Sequence, residues 1–497
     1  MNNILYYGDN LDILRRKVRD ETVDLCYIDP PFNSKRNYFQ IYNNIGKDDQ
    51  AQAQAFIDTW TWNELAMAGF QEIITNYEGR YTRQTIELLK GLRAVLSDGG
   101  LLAYLVSMTQ RVNEIQRVLK PTGSFYLHCD PTASHYLKLM LDSVFCGGGR
   151  GGDFLNEVIW SYRRWPSTSK MYQTMHDVIF FYAKNRGQQT FNLEYEENSD
   201  SYKKRFKGKT QVLDPETKTR KITVDEPSKG LPIRDVWEIS IIAGSAKERL
   251  GYPTQKPERL LERVIETSSN EGDTVLDAYC GCGTTVAVAQ RLRRSWIGID
   301  ITYQSIAVIL KRLEDGFGAA VMDAVVLDGI PRDMESARAL ANKKDDRVRK
   351  EFEKWALLTY SKNRATINEK KGADRGVDGI AYIATGSDTT ERVIFQVKSG
   401  AVKRNDIATL HGDMMREGAV MAVFLTLEEP TKPMRDEALA AGVYHHVLLD
   451  RDYPRIQIIT VREMIEDGKR IDLPLSLDVL KTAATVKTEE QHPLALD

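Results

Sequence analysis

Short apolar runs that end in turn or polar residues recur along the chain, and they constrain the fold more than any other feature. Each run has the length and composition of a strand that is buried on both faces. The runs are VDLCYID (23–29), GSFYLHCD (123–130), DVIFFYA (177–183), DTVLDAYC (273–280) and SWIGID (295–300). Helical patterns lie between them, at 134–145 and 257–268. Because strands alternate with helices, the sequence predicts an α/β fold with a doubly wound, mostly parallel sheet.

The composition is that of a globular protein. The 497 residues are enough for two or three domains, and a net charge of −2 means that any nucleic-acid-binding surface must be local. The five cysteines are too sparse for a disulfide framework and suit a reducing compartment. No apolar run reaches the roughly 18–20 residues of a membrane helix, and no basic segment marks a secretory signal. We therefore expect a cytoplasmic protein with no membrane partner.

Changes in composition divide the chain. We predict a main domain over residues 1–330, in which a polar stretch at about 185–250 forms an insert at the carboxyl edge of the sheet. The charged segment 331–345 is predicted to be a linker, and a second, smaller α/β domain follows at 346–475. The tail 476–497 has the composition of a disordered segment.

A rigid loop follows the strand-like run 23–29. Asp29 precedes Pro30, Pro31 and Phe32. Prolines lack the N–H that a central strand donates to its neighbour, so the strand must end here. A rigid loop with a carboxylate, a ring and free carbonyls is suited to holding a small planar group.

A glycine-rich turn joins two of the predicted strands through a helix. Its candidate ligand-binding residues are Asp277, Gly281, Gly283, Thr284, Thr285 and Asp300. Glycines let a backbone approach a ligand closely, a helix start supplies free N–H donors, and an acid at the second strand end can accept from ribose hydroxyls. Three ligands stay open: NAD, although the G-x-G-x-x-G spacing fails; a phosphate, although no P-loop pattern is present; and S-adenosylmethionine, whose loop needs fewer glycines.

The rigid loop and the glycine-rich turn both follow the carboxyl end of a predicted strand. In an open α/β sheet, ligands bind beyond these ends, at the point where the strand order reverses. The two loops can therefore share one crevice, although about 250 residues separate them.

Four segments resemble those of the DNA amino-methyltransferases that modify N6 of adenine or N4 of cytosine. DPPF (29–32) is similar to their catalytic motif, and DAYCGCGTT (277–285) is similar to their cofactor loop. GYPTQKPERLLERVI (251–265) and LKPTGSFYLHCDPTASHYLK (119–138) resemble two further family segments. The order, with the catalytic motif before the cofactor loop, is that of the β group, and the resemblance covers about residues 1–325.

The resemblance implies S-adenosyl-L-methionine as cofactor and double-stranded DNA as partner, and a homodimer is compatible with it. The implied catalytic residues are Asp29, Pro30, Pro31 and Phe32. The Asp29 carboxylate and the Pro30 carbonyl would accept the protons of the target amine, and the flipped base would stack on Phe32. The implied cofactor-binding residues are Asp9, Thr254, Lys256, Pro257, Asp277, Gly281, Gly283, Thr284, Thr285 and Asp300. Asp at the first motif position favours adenine N6 by family tendency, with cytosine N4 as the alternative.

Two groups of side chains are candidate DNA contacts. The basic run KKRFKGK (203–209) could neutralise phosphates, or it could be an ordinary solvated loop. Arg163, Arg164 and Trp165 follow a strand-like run and form the second group.

The second domain carries a nuclease-like pattern. Asp378 is followed by Gln396 and Lys398, which share one face of a predicted strand. This arrangement resembles the restriction-endonuclease-like (Mrr-like) group of PD-(D/E)xK nucleases, in which acids bind Mg²⁺ and the lysine orients or activates water. The resemblance adds Glu353 on an upstream helix, so Asp378, Gln396 and Glu353 are the candidate Mg²⁺ ligands, with Lys398 as a catalytic residue. Because glutamine replaces an acid, the alternative is a domain that only binds DNA or a partner.

Other candidate metal ligands have simpler structural explanations. His128 and Asp130 lie at a strand end, and Cys280 and Cys282 are small residues in a tight turn. His445–His446 is expected at the surface.

Overall fold

The computed structural model describes most of the chain. The described residues are 3–31, 36–41, 52–58, 60–146, 153–164, 170, 172–218, 221–250, 252, 254–331, 333–342, 346–361, 365–367, 376–385, 390–447 and 449–474. Two predicted contact residues, Phe32 and Trp165, and the predicted tail 476–497 lie outside this set.

Strands and helices alternate over part of the chain, as the sequence predicts, whereas elsewhere two or three elements of one kind follow one another. Up to the predicted insert they are β1 (Asn3–Tyr7), α1 (Asn10–Lys17), β2 (Val23–Ile28), β3 (Arg36–Ile41), β4 (Gln52–Asp58), α2 (Glu64–Thr75), α3 (Arg83–Leu96), α4 (Gly100–Val118), β5 (Leu119–Cys129), α5 (Ser134–Val144), β6 (Phe154–Ser161) and β7 (His176–Ala183). The insert contributes β8 (Tyr195–Glu196), α6 (Asp200–Phe206), β9 (Lys209–Leu213), β10 (Lys221–Pro227), β11 (Leu231–Pro232) and β12 (Val236–Glu238).

Two further sets of elements complete the described chain: the first set closes the main domain, and the second set follows it. The first set is α7 (Glu258–Ser268), β13 (Thr274–Asp277), α8 (Thr284–Arg291), β14 (Ser295–Asp300), α9 (Tyr303–Phe317), α10 (Ala320–Asp323) and β15 (Val325–Asp328). The second set is α11 (Met334–Ala341), α12 (Asp346–Tyr360), β16 (Ala365–Ile367), β17 (Gly379–Ala384), β18 (Thr390–Lys398), α13 (Arg404–Arg416), β19 (Ala419–Thr426), α14 (Lys432–Ala440), β20 (Val443–His446), β21 (Arg451–Pro454), β22 (Ile456–Thr460) and α15 (Val461–Ile465).

A nine-stranded sheet forms the centre of the main domain, in the order β12-β6-β7-β5-β2-β13-β14-β1-β15. Every pairing in it is parallel except the two made by β7. Successive side chains of β2 enter different cores: Leu25 and Tyr27 pack with α7, α8 and α9, whereas Cys26 and Ile28 pack with α1 to α5. Burial on both faces explains why the strands are apolar throughout, and it confirms the predicted doubly wound, mostly parallel fold.

A five-stranded sheet, β16-β17-β18-β19-β22, forms the smaller α/β unit. Strands β18, β19 and β22 are parallel, and β17 runs antiparallel to β18. Phe352 and Trp355 of α12 belong to the same apolar cluster as α9 of the main domain, so one hydrophobic core continues from the first unit into the second. No helix within the described ranges has both the length and the apolar character needed to traverse a bilayer.

Candidate functional site

The rigid loop and the glycine-rich turn leave the sheet at the same edge. Strands β2 and β13 are parallel neighbours, with Leu25 opposite Val275 and Cys26 opposite Leu276. Asp29 and Asp277 therefore both stand at carboxyl ends of adjacent strands. The structure thus brings together two loops that are distant in sequence, as the sequence predicts.

The Asp29 carboxylate has two different environments for its two oxygens. Lys256 is buried, and its Nζ donates to Oδ2 of Asp29 and lies 3.4 Å from the Thr254 carbonyl oxygen. Oδ1 of Asp29 is buried and has no hydrogen-bond partner among the residues that the structure describes. Pro30, next in the chain, is buried as well. One oxygen is thus fixed by an ammonium group, while the other is an open acceptor at the edge of the sheet.

The glycine-rich turn is held from two sides. The Gly281 N–H donates to Oδ2 of Asp300 at 2.9 Å, and the Gly283 N–H donates to the Cys280 carbonyl at 2.7 Å. Gly281 and Gly283 have φ angles of 49° and 73°, a region that glycine adopts readily and other residues rarely. A Cβ on Gly283 would lie 2.7 Å from Cγ1 of Ile309. The turn therefore needs glycine at position 283 for both its backbone angle and its packing.

Two buried carboxyl groups flank this turn. Burial raises the pKa of Asp300 to about 6, although Asp300 accepts bonds from the Gly281 and Thr302 N–H groups. Burial also raises the pKa of Asp277 to about 7, and the nearby charge of Asp29 adds to this shift. Asp300 ends β14, and its predicted role as an acceptor for ribose hydroxyls stays a prediction.

The segment before α1 is fastened to the same edge. Asp9 caps α1 by accepting the Leu11 N–H at 2.9 Å, and Nη2 of Arg111 donates to its second oxygen at 2.9 Å. The neighbouring Asn10 donates from Nδ2 to the Ala278 carbonyl at 2.8 Å. Asp9, a predicted cofactor residue, therefore lies beside the glycine-rich turn.

Arg312 joins the 251–265 segment to the turn, and the sequence reasoning missed it. The side chain is buried, and Nη2 donates to Oε1 of Glu258 at 2.7 Å. Nη1 donates to Oγ1 of Thr284 at 3.1 Å and to the Cys282 carbonyl at 3.3 Å. An arginine on an apolar helical face indicates that its charge needs buried partners, but this local signal does not identify those partners. Thr285 beside this contact is buried, as is Pro257, the residue that caps α7.

His128 is a structural residue. Its ring is fully buried, with Nδ1 2.7 Å from the Tyr27 hydroxyl and Nε2 3.1 Å from Oδ2 of Asp177. Burial alone would raise the pKa of Asp177, but the bonds to His128 and Tyr162 hold it below its usual value. Both ring nitrogens are thus occupied, which agrees with the structural interpretation.

Local hydrogen bonding and burial also account for the other candidate metal ligands. Asp130 accepts the Thr132 N–H at 2.9 Å, and Cys280 and Cys282 are buried. In the described portion of the chain, no group of three or more His, Cys, Asp or Glu side chains is arranged to hold a metal ion. The expectation that His446 lies at the surface is wrong, because its ring packs between Tyr444 and Tyr453 and is fully buried.

In the smaller unit, two of the predicted nuclease residues, Asp378 and Gln396, are near each other where β17 pairs with β18. Oδ2 of Asp378 accepts the Val397 N–H at 2.7 Å. Gln396 is buried, and its Oε1 has no hydrogen-bond partner within the described ranges. A Cβ on Gly376 would lie 3.4 Å from Nε2 of Gln396 and 2.6 Å from Oδ2 of Asp413. Asp413, which the sequence reasoning missed, therefore lies beside Gly376 together with Gln396.

The remaining predicted nuclease residues come from other positions around β18. Phe352 of α12 packs in the core that contains Phe395 and Val397, whose side chains alternate with that of Gln396. Glu353 is half-buried on α12, and Lys398 is half-buried at the end of β18. The Mg²⁺ site stays a prediction.

Comparison with known proteins decides the family. The family of N6 and N4 DNA methylases matches residues 23–311, more than half of the chain. The chain belongs to this family. Within the smaller unit, a family described as NACHT-associated inactive restriction endonuclease 1 matches residues 348–466. The predicted combination of a DNA methylase with a restriction-endonuclease-like unit is therefore confirmed.

Individual relatives of this methylase are distant. The type II methyltransferase M.HpaI of Haemophilus parainfluenzae is 32% identical over 214 residues, which cover 43% of this chain and 60% of that protein. The DNA adenine methyltransferase YhdJ of Escherichia coli is 26% identical over 318 residues, which cover 62% of this chain and 82% of that protein. A Thermus thermophilus DNA modification methylase, TTHA0409, solved with S-adenosyl-L-methionine, is 17% identical, with a TM-score of 0.33 over 63% of this chain and 95% of that one.

The insert of the methylase exposes the predicted basic cluster. Lys204, Arg205 and Lys207 are exposed on and after α6. Lys203 forms an exposed ion pair with Glu197 at 2.8 Å. Surface pairs of this kind contribute little, so the cluster keeps most of its positive charge available.

Proposed function

We propose that the chain transfers the methyl group of S-adenosyl-L-methionine to N6 of an adenine that is flipped out of double-stranded DNA, as the modification enzyme of a restriction system. The observation that carries the proposal is the open, buried Oδ1 of Asp29 beside the glycine-rich turn. The cofactor of this family is S-adenosyl-L-methionine, which supplies the methyl group when bound. The residues of the turn fit a nucleoside: two glycines that let the backbone approach a ligand closely, and the buried acid Asp277.

Asp29 has the central chemical role in this proposal. The exocyclic amine of adenine is a poor nucleophile, because its lone pair is conjugated into the ring. Oδ1 of Asp29 accepts one N–H and the Pro30 carbonyl accepts the other, so the nitrogen lone pair loses conjugation and can take the methyl group that S-adenosyl-L-methionine would supply. The sulfur–methyl bond would break as the N–C bond forms, and Asp29 would take the proton that the amine loses. Acceptors that are fixed in a site without bulk water stabilise such developing charge strongly. Lys256 keeps the second oxygen occupied, which leaves Oδ1 directed at the amine.

Two observations favour adenine over cytosine. The motif begins with Asp29 rather than serine, and a relative that shares 82% of its length with this chain is named a DNA adenine methyltransferase. Cytosine N4 is the alternative. Mass analysis of nucleosides after reaction with unmethylated DNA separates the two, since N6-methyladenine is expected and N4-methylcytosine would overturn the choice.

The catalytic assignment is tested with tritiated S-adenosyl-L-methionine and unmethylated duplex DNA. Asp29→Ala should lower the rate of methyl transfer by about 10²–10³, the usual effect of losing one such electrostatic group. Asp29→Asn keeps the size of the side chain and one acceptor, so a smaller loss is expected. Glu87→Gln, on the exposed face of α3, is the control and should react as the wild type does. An unchanged rate in Asp29→Ala would overturn the mechanism.

The smaller unit, residues 346–475 beyond the 331–345 linker, is proposed not to cleave DNA but to bind DNA or a partner. Support comes from Gln396, which lacks the charge of the usual acid, and from the inactive restriction endonuclease family that matches this region. Incubation of the full chain with DNA and Mg²⁺ should give no cleavage. Cleavage by the wild type that Lys398→Ala abolishes would refute this part of the proposal.

A further inference from the structure

One side chain of the smaller unit reaches the cofactor edge of the methylase. Glu351 lies on α12, and only 14% of its side chain is exposed. Its Oε2 accepts the backbone N–H of Tyr303 at 3.0 Å and the hydroxyl of Tyr7 at 3.3 Å. A second hydrogen bond joins α12 to α9, because the hydroxyls of Thr359 and Tyr303 are 2.8 Å apart.

Tyr7 and Tyr303 both adjoin Asp300, whereas the third partner of Glu351, Nζ of Lys354 at 3.1 Å from Oε1, lies on the same helix as Glu351. Tyr7 is the last residue of β1 and lies opposite Asp300 in the parallel pairing of β1 with β14. The next residue, Gly8, donates its N–H to the Asp300 carbonyl at 2.9 Å. Tyr303 begins α9, three residues after Asp300. Glu351 therefore connects the two backbone segments that hold this acid in place.

The contact with Tyr303 has a clear physical basis. The first N–H groups of a helix have no partner inside the helix, and a carboxylate at that end is favoured by the helix dipole. Thr302 caps the same helix by accepting the Ser305 N–H, and Asp300 itself accepts the Thr302 N–H at 2.9 Å. Glu351 thus supplies the next bond in a series that fixes the start of α9 against Asp300.

We infer that Glu351 is a positioning residue for cofactor binding, so that the smaller unit completes the cofactor edge by fixing Asp300 and the start of α9. The inference rests on the proposed function of this edge. It gives the smaller unit a role that needs no nuclease chemistry: a ligand that moves α12 away from α9 would weaken S-adenosyl-L-methionine binding.

Calorimetric titration of the full-length protein with S-adenosyl-L-methionine tests the inference. Glu351→Ala should raise Kd about tenfold, because it removes the carboxylate that accepts both the Tyr303 N–H and the Tyr7 hydroxyl. Glu351→Gln keeps an acceptor and should recover most of the affinity. With saturating cofactor, kcat and the KM for DNA should stay near wild type, because Glu351 does not touch the DNA side. Glu437→Ala, a carboxylate on the distant α14, is the matched control.

The outcomes separate this inference from the proposed function. Wild-type affinity in a folded Glu351→Ala protein overturns the inference alone. Thr359→Val removes the second contact and is expected to raise Kd about two- to fivefold; should Glu351→Ala not fold, wild-type affinity in Thr359→Val overturns it. Failure of the wild type itself to bind S-adenosyl-L-methionine or to methylate DNA would refute the proposed function instead.

Discussion

Replacing Gly283 with alanine adds one methyl group at the most tightly packed point of the glycine-rich turn. The φ angle of 73° is left-handed, which costs alanine about 1–2 kcal/mol. The new Cβ would lie 2.7 Å from Cγ1 of Ile309, and relief of such an overlap in a packed core costs about 1–3 kcal/mol. The lower entropy of the unfolded alanine chain returns about 0.4–1 kcal/mol. We therefore expect the free energy of unfolding to fall by about 2–4 kcal/mol.

Gly281 is the matched control within the same turn. Its φ angle of 49° is also left-handed, but its Cβ would lie 3.4 Å from Cε1 of Tyr252, an ordinary contact. Gly281→Ala should therefore lose only about 1 kcal/mol. Urea denaturation followed by circular dichroism measures both variants. The double variant Gly283→Ala with Ile309→Ala should show a favourable coupling of about 1–2 kcal/mol, because the second change removes the overlapping atom.

Two results would refute this reasoning. Equal losses in Gly281→Ala and Gly283→Ala would show that the backbone angle alone matters. Additive losses in the double variant would show that Ile309 does not limit the space at Gly283. Either result would mean that the start of α8 is not held against α9 as the structure indicates.

Three further predictions concern charge. Burial raises the pKa of Asp300 to about 6, and the ionised form is the better acceptor. Calorimetry should therefore show S-adenosyl-L-methionine binding that tightens about fivefold from pH 5 to pH 6 and levels off above about pH 7; Asp300→Asn should lose this pH dependence. The folding stability of the cofactor-free protein should depend on pH in the opposite direction. The stability that the neutral Asp300 carboxyl contributes is present below about pH 4 and is lost as the pH rises through about 6. Lys256→Met should lower kcat for methyl transfer about tenfold or more, because Asp29 loses its buried partner. If only the Kd for the cofactor changes, Lys256 serves cofactor binding and not the Asp29 carboxylate. Neutralising Lys204 and Arg205 with glutamine should reduce the slope of log K against log salt in DNA titrations by about 2, and an unchanged slope would make the cluster an ordinary solvated surface.

The sheet was predictable from the sequence because its strands are buried on both faces. The run 23–29 contains β2, and 295–300 coincides with β14, since each needs apolar residues on both sides. The meeting of the two loops was predictable as well, because parallel strands present their carboxyl ends at one edge. The reversed direction of β7 could not be predicted, because an antiparallel strand that is buried on both faces has the same apolar composition as a parallel one.

Several residues of the site could not be found from local patterns. Arg312 and Glu351 act through partners that are distant in sequence, 54 residues away for Glu258 and 344 for Tyr7. Neither lies in a motif, so only the packing of α9 against its neighbours reveals them. His446 was misjudged for a related reason, because the rings that pack against it include that of Tyr453, which follows it only after a turn.

The position of β1 between β14 and β15 has a consequence for biosynthesis. Within the described residues, both of its strand partners lie near the far end of the methylase, beginning at Ser295 and Val325. At about 5–20 residues per second, a ribosome needs roughly 15–60 s to reach them after making β1. Throughout that interval the nascent chain carries an apolar strand with no neighbour. A product that ends inside the insert would lack both partner strands, so Leu5 of β1 would stay exposed. We expect chaperones and proteases to recognise and remove such a product.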